Sequence, residues 1–255
     1  MKASLVLKST LGLALLAGCT SSGSVRSALK KNPDILYEVI EENPEKFLEV
    51  LNRAAEKAQA QLEARRRAEV QARQQDDLKN PRKPKLEVGR RLAGSDSGKI
   101  VVVEYADFQC PACSMAHASL KEFQRRRPGQ VQFYYKNMPL SFHPQALPAA
   151  RYFEAIKLQG NALAQKFYDE VFSKQRELGN DGFFEAVARR AGADLKRLRA
   201  DLKSERIDSL IQEDMAEFEA FGFTGTPVVI VNGVALEGAP SVEALERAVA
   251  LTEKR

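Results

Sequence analysis

Tryptophan is absent from this chain of 255 residues, histidine occurs twice and cysteine three times. The missing tryptophan says little about fold. The shortage of histidine and cysteine excludes more. A structural zinc site needs four ligands, usually thiolate or imidazole. Cys110, Cys113, His117 and His143 are poorly spaced for one, so neither a metal nor another cofactor is expected. Strong charge is lacking too: the net charge is +5, which allows contact with acidic partners but does not call for nucleic acid. The Arg-Arg-Arg runs at 65–67 and 125–127 are read as solvated helix faces. A membrane-spanning run is also missing near the N-terminus, where the apolar stretch LGLALLAG (11–18) is far shorter than the roughly 20 residues a spanning helix needs.

What residues 1–18 do contain is a secretory signal: Lys2 and Lys8, then the apolar stretch. It ends in Leu16-Ala17-Gly18-Cys19, which resembles a bacterial lipobox, and TSSGS follows as a flexible tether. The expectation is cleavage before Cys19 and lipidation of that cysteine. The mature protein would then sit in the cell envelope, anchored to the bilayer through Cys19 over a tether of residues 19–31 and facing the periplasm or extracytoplasmic side. More than one acyl chain makes such an anchor durable. Disulfides form in that compartment, and Cys19, consumed by lipid, cannot take part in them.

Residues 32–85 are expected to form an all-α arm. KNPDILYEVI (31–40) and ENPEKFLEVL (42–51) repeat with a period of 11. In each copy an Asn is placed to cap a helix, a Pro to occupy its first position, and Asp34 or Glu45 to face its positive end. Leu36, Val39 and Ile40 match Phe47, Val50 and Leu51. Leu48, Leu51, Ala55, Ala58 and Leu62 continue as a two-heptad coiled-coil seam. Such short apolar helices need a second copy or the main domain to cover them. Residues 32–78 are therefore the expected homo-oligomerisation region, with a charged spacer helix as the alternative. Asn80-Pro81 and Pro84 end the helix.

From residue 86 the pattern becomes α/β. KIVVVEYADF (99–108) and VQFYYKN (131–137) read as strands separated by a helix from Pro111 to about Arg127. Residues 145–221 read as helical almost throughout. VVIV-NG-VALEG reads as a hairpin with an Asn-Gly turn, and SVEALERAVALTEKR as a capped closing helix.

Cys110 and Cys113 stand where the first of these strands gives way to a helix. A staple across two residues removes little entropy from the unfolded chain. A redox pair has a mechanism. At a helix N-terminus, unpaired amides and the helix dipole stabilise a Cys110 thiolate. Cys113, one turn inward, resolves the mixed disulfide. Pro111 begins the helix without wasting a donor.

VEYADFQCPAC, the long helical stretch and GFTGTPVVIVNG together resemble the DsbA-like branch of the thioredoxin fold over roughly residues 95–255. The resemblance implies a thioredoxin domain over 86–255 with a helical insertion at about 140–222. It implies that Pro227 is cis and lies against the dithiol, and that Thr226 offers its backbone to an extended substrate. Glu104, six residues before Cys110, matches a buried carboxylate thought to move the proton of the resolving thiol. Pro111-Ala112 stands where the best-known oxidases have Pro-His. Loss of that histidine implies weaker oxidising power. An N-terminal arm resembles ScsC-type oligomeric proteins, and Thr before the cis-proline is common among disulfide isomerases. His117 is expected on the surface and His143 in a loop.

These readings imply an enzyme: a membrane-anchored thiol–disulfide oxidoreductase, isomerase ahead of oxidase. It would act on exported proteins with cysteines and be served by a membrane redox partner. The alternatives are a copper-handling envelope protein using the dithiol for Cu(I) and a structural envelope lipoprotein. Met115 is the only methionine near the dithiol.

Overall fold

The computed structural model describes residues 22–253 apart from residue 180; the signal segment and Cys19 lie outside the described residues. The chain divides into two compact units between Arg67 and Ala68.

The first unit contains α1 (Ser22–Lys31), α2 (Asp34–Glu42) and the first two thirds of α3 (Pro44–Lys79). The helix starts at Pro33-Asp34 and Pro44 agree with the repeat, but the capping expectation needs correction. Asn32 and Asn43 do not cap the helices that follow. Each turns its side-chain amide back to the carbonyl four residues earlier, Ala28 and Val39, and so serves the end of the preceding helix. With only one or two residues between helices, the carbonyls left unpaired behind each Asn are as near as the amides ahead. Leu36, Val39, Phe47, Val50, Leu51 and Leu62 are exposed.

The second unit is built on a five-stranded sheet of order β1-β3-β2-β4-β5: β1 (Arg91–Gly94), β2 (Ile100–Ala106), β3 (Val131–Asn137), β4 (Val228–Val231) and β5 (Val234–Glu237). β2 and β3 are parallel, joined by α4 (Pro111–Arg126); the other pairings are antiparallel. Alternation along β2 explains the layering. Val102 and Ala106 face one core with α4, α10 (Val242–Thr252) and the helical insertion. Val103 and Tyr105 face a smaller core with Phe218 and Phe223. The insertion comprises α5 (Ala146–Lys157), α6 (Asn161–Ser173), α7 (Asp181–Ala191), α8 (Leu195–Asp201) and α9 (Glu205–Ala220).

Asn232 and Gly233 take positive φ of 48° and 91° in the hairpin turn, as a two-residue turn of that hand demands. A side chain at Gly233 would also collide with Pro81, whose Cβ lies 2.6 Å from where a Cβ would stand. The end of α3 is locked there. Asp77 is buried, pairs with Arg82 at 2.7 Å and accepts from the edge amide of Ala235 at 2.9 Å. Arg82 donates to the Phe221 carbonyl and lies over the Phe223 ring.

Candidate functional site

Cys110 is the N-cap residue of α4, with Pro111 in the first turn. The loop that delivers it is held from three sides. Phe108 stacks on Phe172 and packs against Tyr135 and Phe153 at ring separations of 5.0 to 5.6 Å. The buried Asp107 carboxylate accepts from Gln109 N, Leu140 N and His143 Nδ1 at 2.7, 3.0 and 2.7 Å. Gln175, from the insertion, donates to the carbonyls of Phe108 and Cys110.

The two cysteines, both free thiols, occupy different environments. Cys110 retains 8% exposure and Cys113 none. A hydrogen bond from the Cys113 thiol, helped by the amides of Cys113 and Ala112 and by Thr226, pulls the Cys110 thiol down to about 5. Charged-form hydrogen bonds outweigh burial here. Cys113 moves the opposite way. Burial, the Cys110 bond and the nearby charge of Glu104 raise it, against a weak bond from Asp107 N at 3.4 Å.

Pro227 follows a cis peptide bond and is buried. Thr226 stands beside the dithiol: its carbonyl accepts from the Cys110 thiol at 3.6 Å. Pro111 is exposed and Ala112 half-buried. Glu104 is fully buried, paired in register with Tyr135 on β3 and Val229 on β4, so it sits mid-sheet and not at a frayed edge. Burial pushes its carboxyl up to about 8, against the Tyr168 hydroxyl, which donates to Oε2 at 2.6 Å. The expected group of Cys110, Cys113, Glu104, Thr226 and Pro227 thus converges from β2, α4 and the start of β4.

His117 corrects an expectation. It is buried at 6% exposure, hydrogen-bonded to Asp169 at 2.8 Å and stacked on Phe172. His117 lies four residues after Cys113 and so shares its face: Cys113, Ala116, His117, Leu120 and Phe123 form the inward stripe of α4. His143 does lie in a loop, but as the partner of Asp107. Arg127 also departs from a simple solvated face, since its Nε donates to Glu246 on α10 at 2.9 Å. Sequence reasoning missed Asp107, Tyr168 and Gln175. Asp107, two residues before the loop amide it accepts from, had a local turn signal; the other two had none.

A thioredoxin family model matches residues 86–250, and the chain belongs to that family. Its sheet order, helical insertion and cis-proline beside a Cys-x-x-Cys give it a DsbA-like thioredoxin fold. Among solved structures, a thioredoxin-like oxidoreductase from Silicibacter pomeroyi is 25% identical, with a TM-score of 0.59 over 66% of this chain and 95% of that one. The thiol-disulfide exchange protein alpha-DsbA2 of Wolbachia pipientis is 16% identical, with a TM-score of 0.60 over 74% and 98%. A linker-deletion mutant of Proteus mirabilis ScsC is 18% identical, with a TM-score of 0.56 over 91% and 92%. A curated relative, a Na(+)/H(+) antiporter NhaA of Mycolicibacterium vanbaalenii, is 32% identical over 165 residues, 62% of this chain and 26% of that protein. The chain spans about a quarter of the length of the curated relatives it matches. Among the described residues no helix is long and apolar enough to cross a membrane.

Proposed function

We propose that the protein is a lipid-anchored, extracytoplasmic disulfide isomerase in which Cys110 attacks the disulfides of exported proteins and Cys113 releases the trapped product. The observation that carries this reading is the opposed state of the two thiols, Cys110 lowered to about 5 and Cys113 raised. At neutral pH such a pair holds one thiolate ready to attack and keeps the second as a thiol until needed. Substrate would be read by the Thr226 backbone beside Pro227, where the Cys110 thiol now occupies the carbonyl.

Isomerase is preferred to oxidase for two reasons. Ala112 leaves the motif without a cation between the cysteines. The exposed apolar faces of the arm fit self-association, which would hold several reduced dithiols around one substrate and away from an oxidising partner. The likeness to ScsC covers 91% of this chain and so extends beyond the thioredoxin domain. The signal and lipobox support export and anchoring through Cys19. The test is reactivation of scrambled ribonuclease by the reduced protein, beside oxidation of a reduced peptide. Reactivation that disappears in Cys110→Ser, with slow peptide oxidation, is expected. Fast oxidation without reactivation would make the protein an oxidase.

A further inference from the structure

The insertion helix α6 sends the Tyr168 side chain into the redox centre. Tyr168 is buried, and its hydroxyl donates to Glu104 Oε2 at 2.6 Å. The other carboxyl oxygen, Oε1, is buried without a hydrogen-bond partner. A buried oxygen left without a partner costs free energy, and its presence calls for a reason. A carboxyl whose Oε2 already accepts a hydrogen bond binds a proton best on the oxygen that is free.

We propose that Tyr168 is a positioning residue for the resolving step: by occupying Oε2 it makes Oε1 the oxygen that takes up and returns the proton of Cys113. This rests on the function proposed above. In the step itself the Cys113 S–H bond breaks as the proton passes to Oε1. The Cys113 sulfur attacks Cys110, the Cys110–substrate S–S bond breaks, the Cys110–Cys113 bond forms, and the substrate leaves as thiolate. Two electrons pass from the dithiol to the substrate's disulfide, so no outside oxidant enters.

The surroundings of Glu104 leave Tyr168 in charge of this balance. β3 contributes Tyr135, whose hydroxyl is committed to the Ala106 carbonyl at 3.1 Å. β4 contributes Val229 in register. From α4 come Cys113 and His117, from the active-site loop Asp107, and from α6 Asp169. His117 and Asp169 are bonded to each other, and Lys121 reaches Asp169 from the surface. Asp107 is committed to Gln109, Leu140 and His143. Two causes set the proton affinity of Glu104: burial, which raises it, and the Tyr168 hydroxyl, which lowers it. His117 lies edge-on to the Tyr168 ring at 5.0 Å, with Phe172 at the same distance on another side, so the hydroxyl is aimed by a packed frame.

The experiment removes the hydroxyl alone with Tyr168→Phe in the full chain. Glu104 is titrated directly by the infrared band of its protonated carboxyl, with Glu104→Gln as the blank. In parallel, Cys113-dependent release of a chromogenic thiol from its mixed disulfide with Cys110 is followed against pH. Loss of a hydrogen bond to a charged group should raise the infrared midpoint by about one pH unit and slow release about tenfold at pH 7. The rate should recover at higher pH. Tyr168→Phe added to Glu104→Gln should cost nothing further. An unmoved or lowered midpoint would overturn the assignment, as would equal slowing at every pH. The infrared titration needs no exchange activity. A moved midpoint in a protein that fails to exchange disulfides would therefore support Tyr168 and count against the function.

Discussion

Cys113 is the main reason the Cys110 thiol lies below its ordinary value. The leading cause of its lowered proton affinity is the bond from the second thiol, with backbone amides behind it. Replacing Cys113 by Ala should therefore raise the alkylation midpoint of Cys110 above about 5, while the amides keep it below the ordinary 9.0. A midpoint unchanged on replacement would mean that the helix end alone sets it. Glu104 makes the opposite contribution to stability. Its folded value of about 8 lies above the ordinary 4.5. The folded state thus binds more protons than the unfolded chain between those values, and stability falls as pH rises through that window. Glu104→Gln removes the cost. The variant should be more stable at pH 8 by on the order of 3–5 kcal/mol, read as a higher melting temperature, and change little at pH 4.

Among the elements, the end of α3 and the β4–β5 hairpin depend on one carboxylate. Asp77 neutralises Arg82 and satisfies the edge amide of Ala235, so strand β5 does not end as a bare edge. Asp77→Ala leaves a half-buried cation and an amide unpaired. The expected cost is about 3 kcal/mol, with faster hydrogen exchange at the Ala235 amide as the local signature. Normal protection there would show that water replaces the carboxylate. The hairpin itself follows the Asn-Gly pair. Asn232 also accepts from Val101 N at 2.8 Å and donates to Thr252, tying the turn to β2 and to the last helix.

For the molecule as a whole, the two units differ in what they bury. Residues 68–255 bury their own core. Residues 22–67 leave Ile35, Leu36, Phe47, Val50 and Leu51 in water, each worth about 1.5–3 kcal/mol if covered. A chain beginning at Ala68 keeps the Asp77 clamp and loses only those faces. Light scattering should show it monomeric, against an oligomer for the chain beginning at Thr20. Ribonuclease reactivation should fall while peptide oxidation is retained or gained. Two monomers of equal activity would reduce the arm to a spacer.

Local signals carried the class of fold, the order of its elements and the dithiol. A buried strand, a turn before Cys110, Pro at the helix start and Asn-Gly in the hairpin are each dictated by neighbours a few residues away. Glu104 was legible as a charge inside an apolar strand, though its depth was not. What stayed hidden depends on residues far apart in the chain. Tyr168 meets Glu104 across 64 positions, and Gln175 grips the Cys110 loop across 65. His117 is buried because α6 brings Asp169 and Phe172 over it. Backbone preference and apolar periodicity act within a turn or a strand, so they specify elements. Whether an ionisable group gains a partner or loses its water is settled by packing between elements, and here that packing separates the proton affinities of two cysteines one helical turn apart.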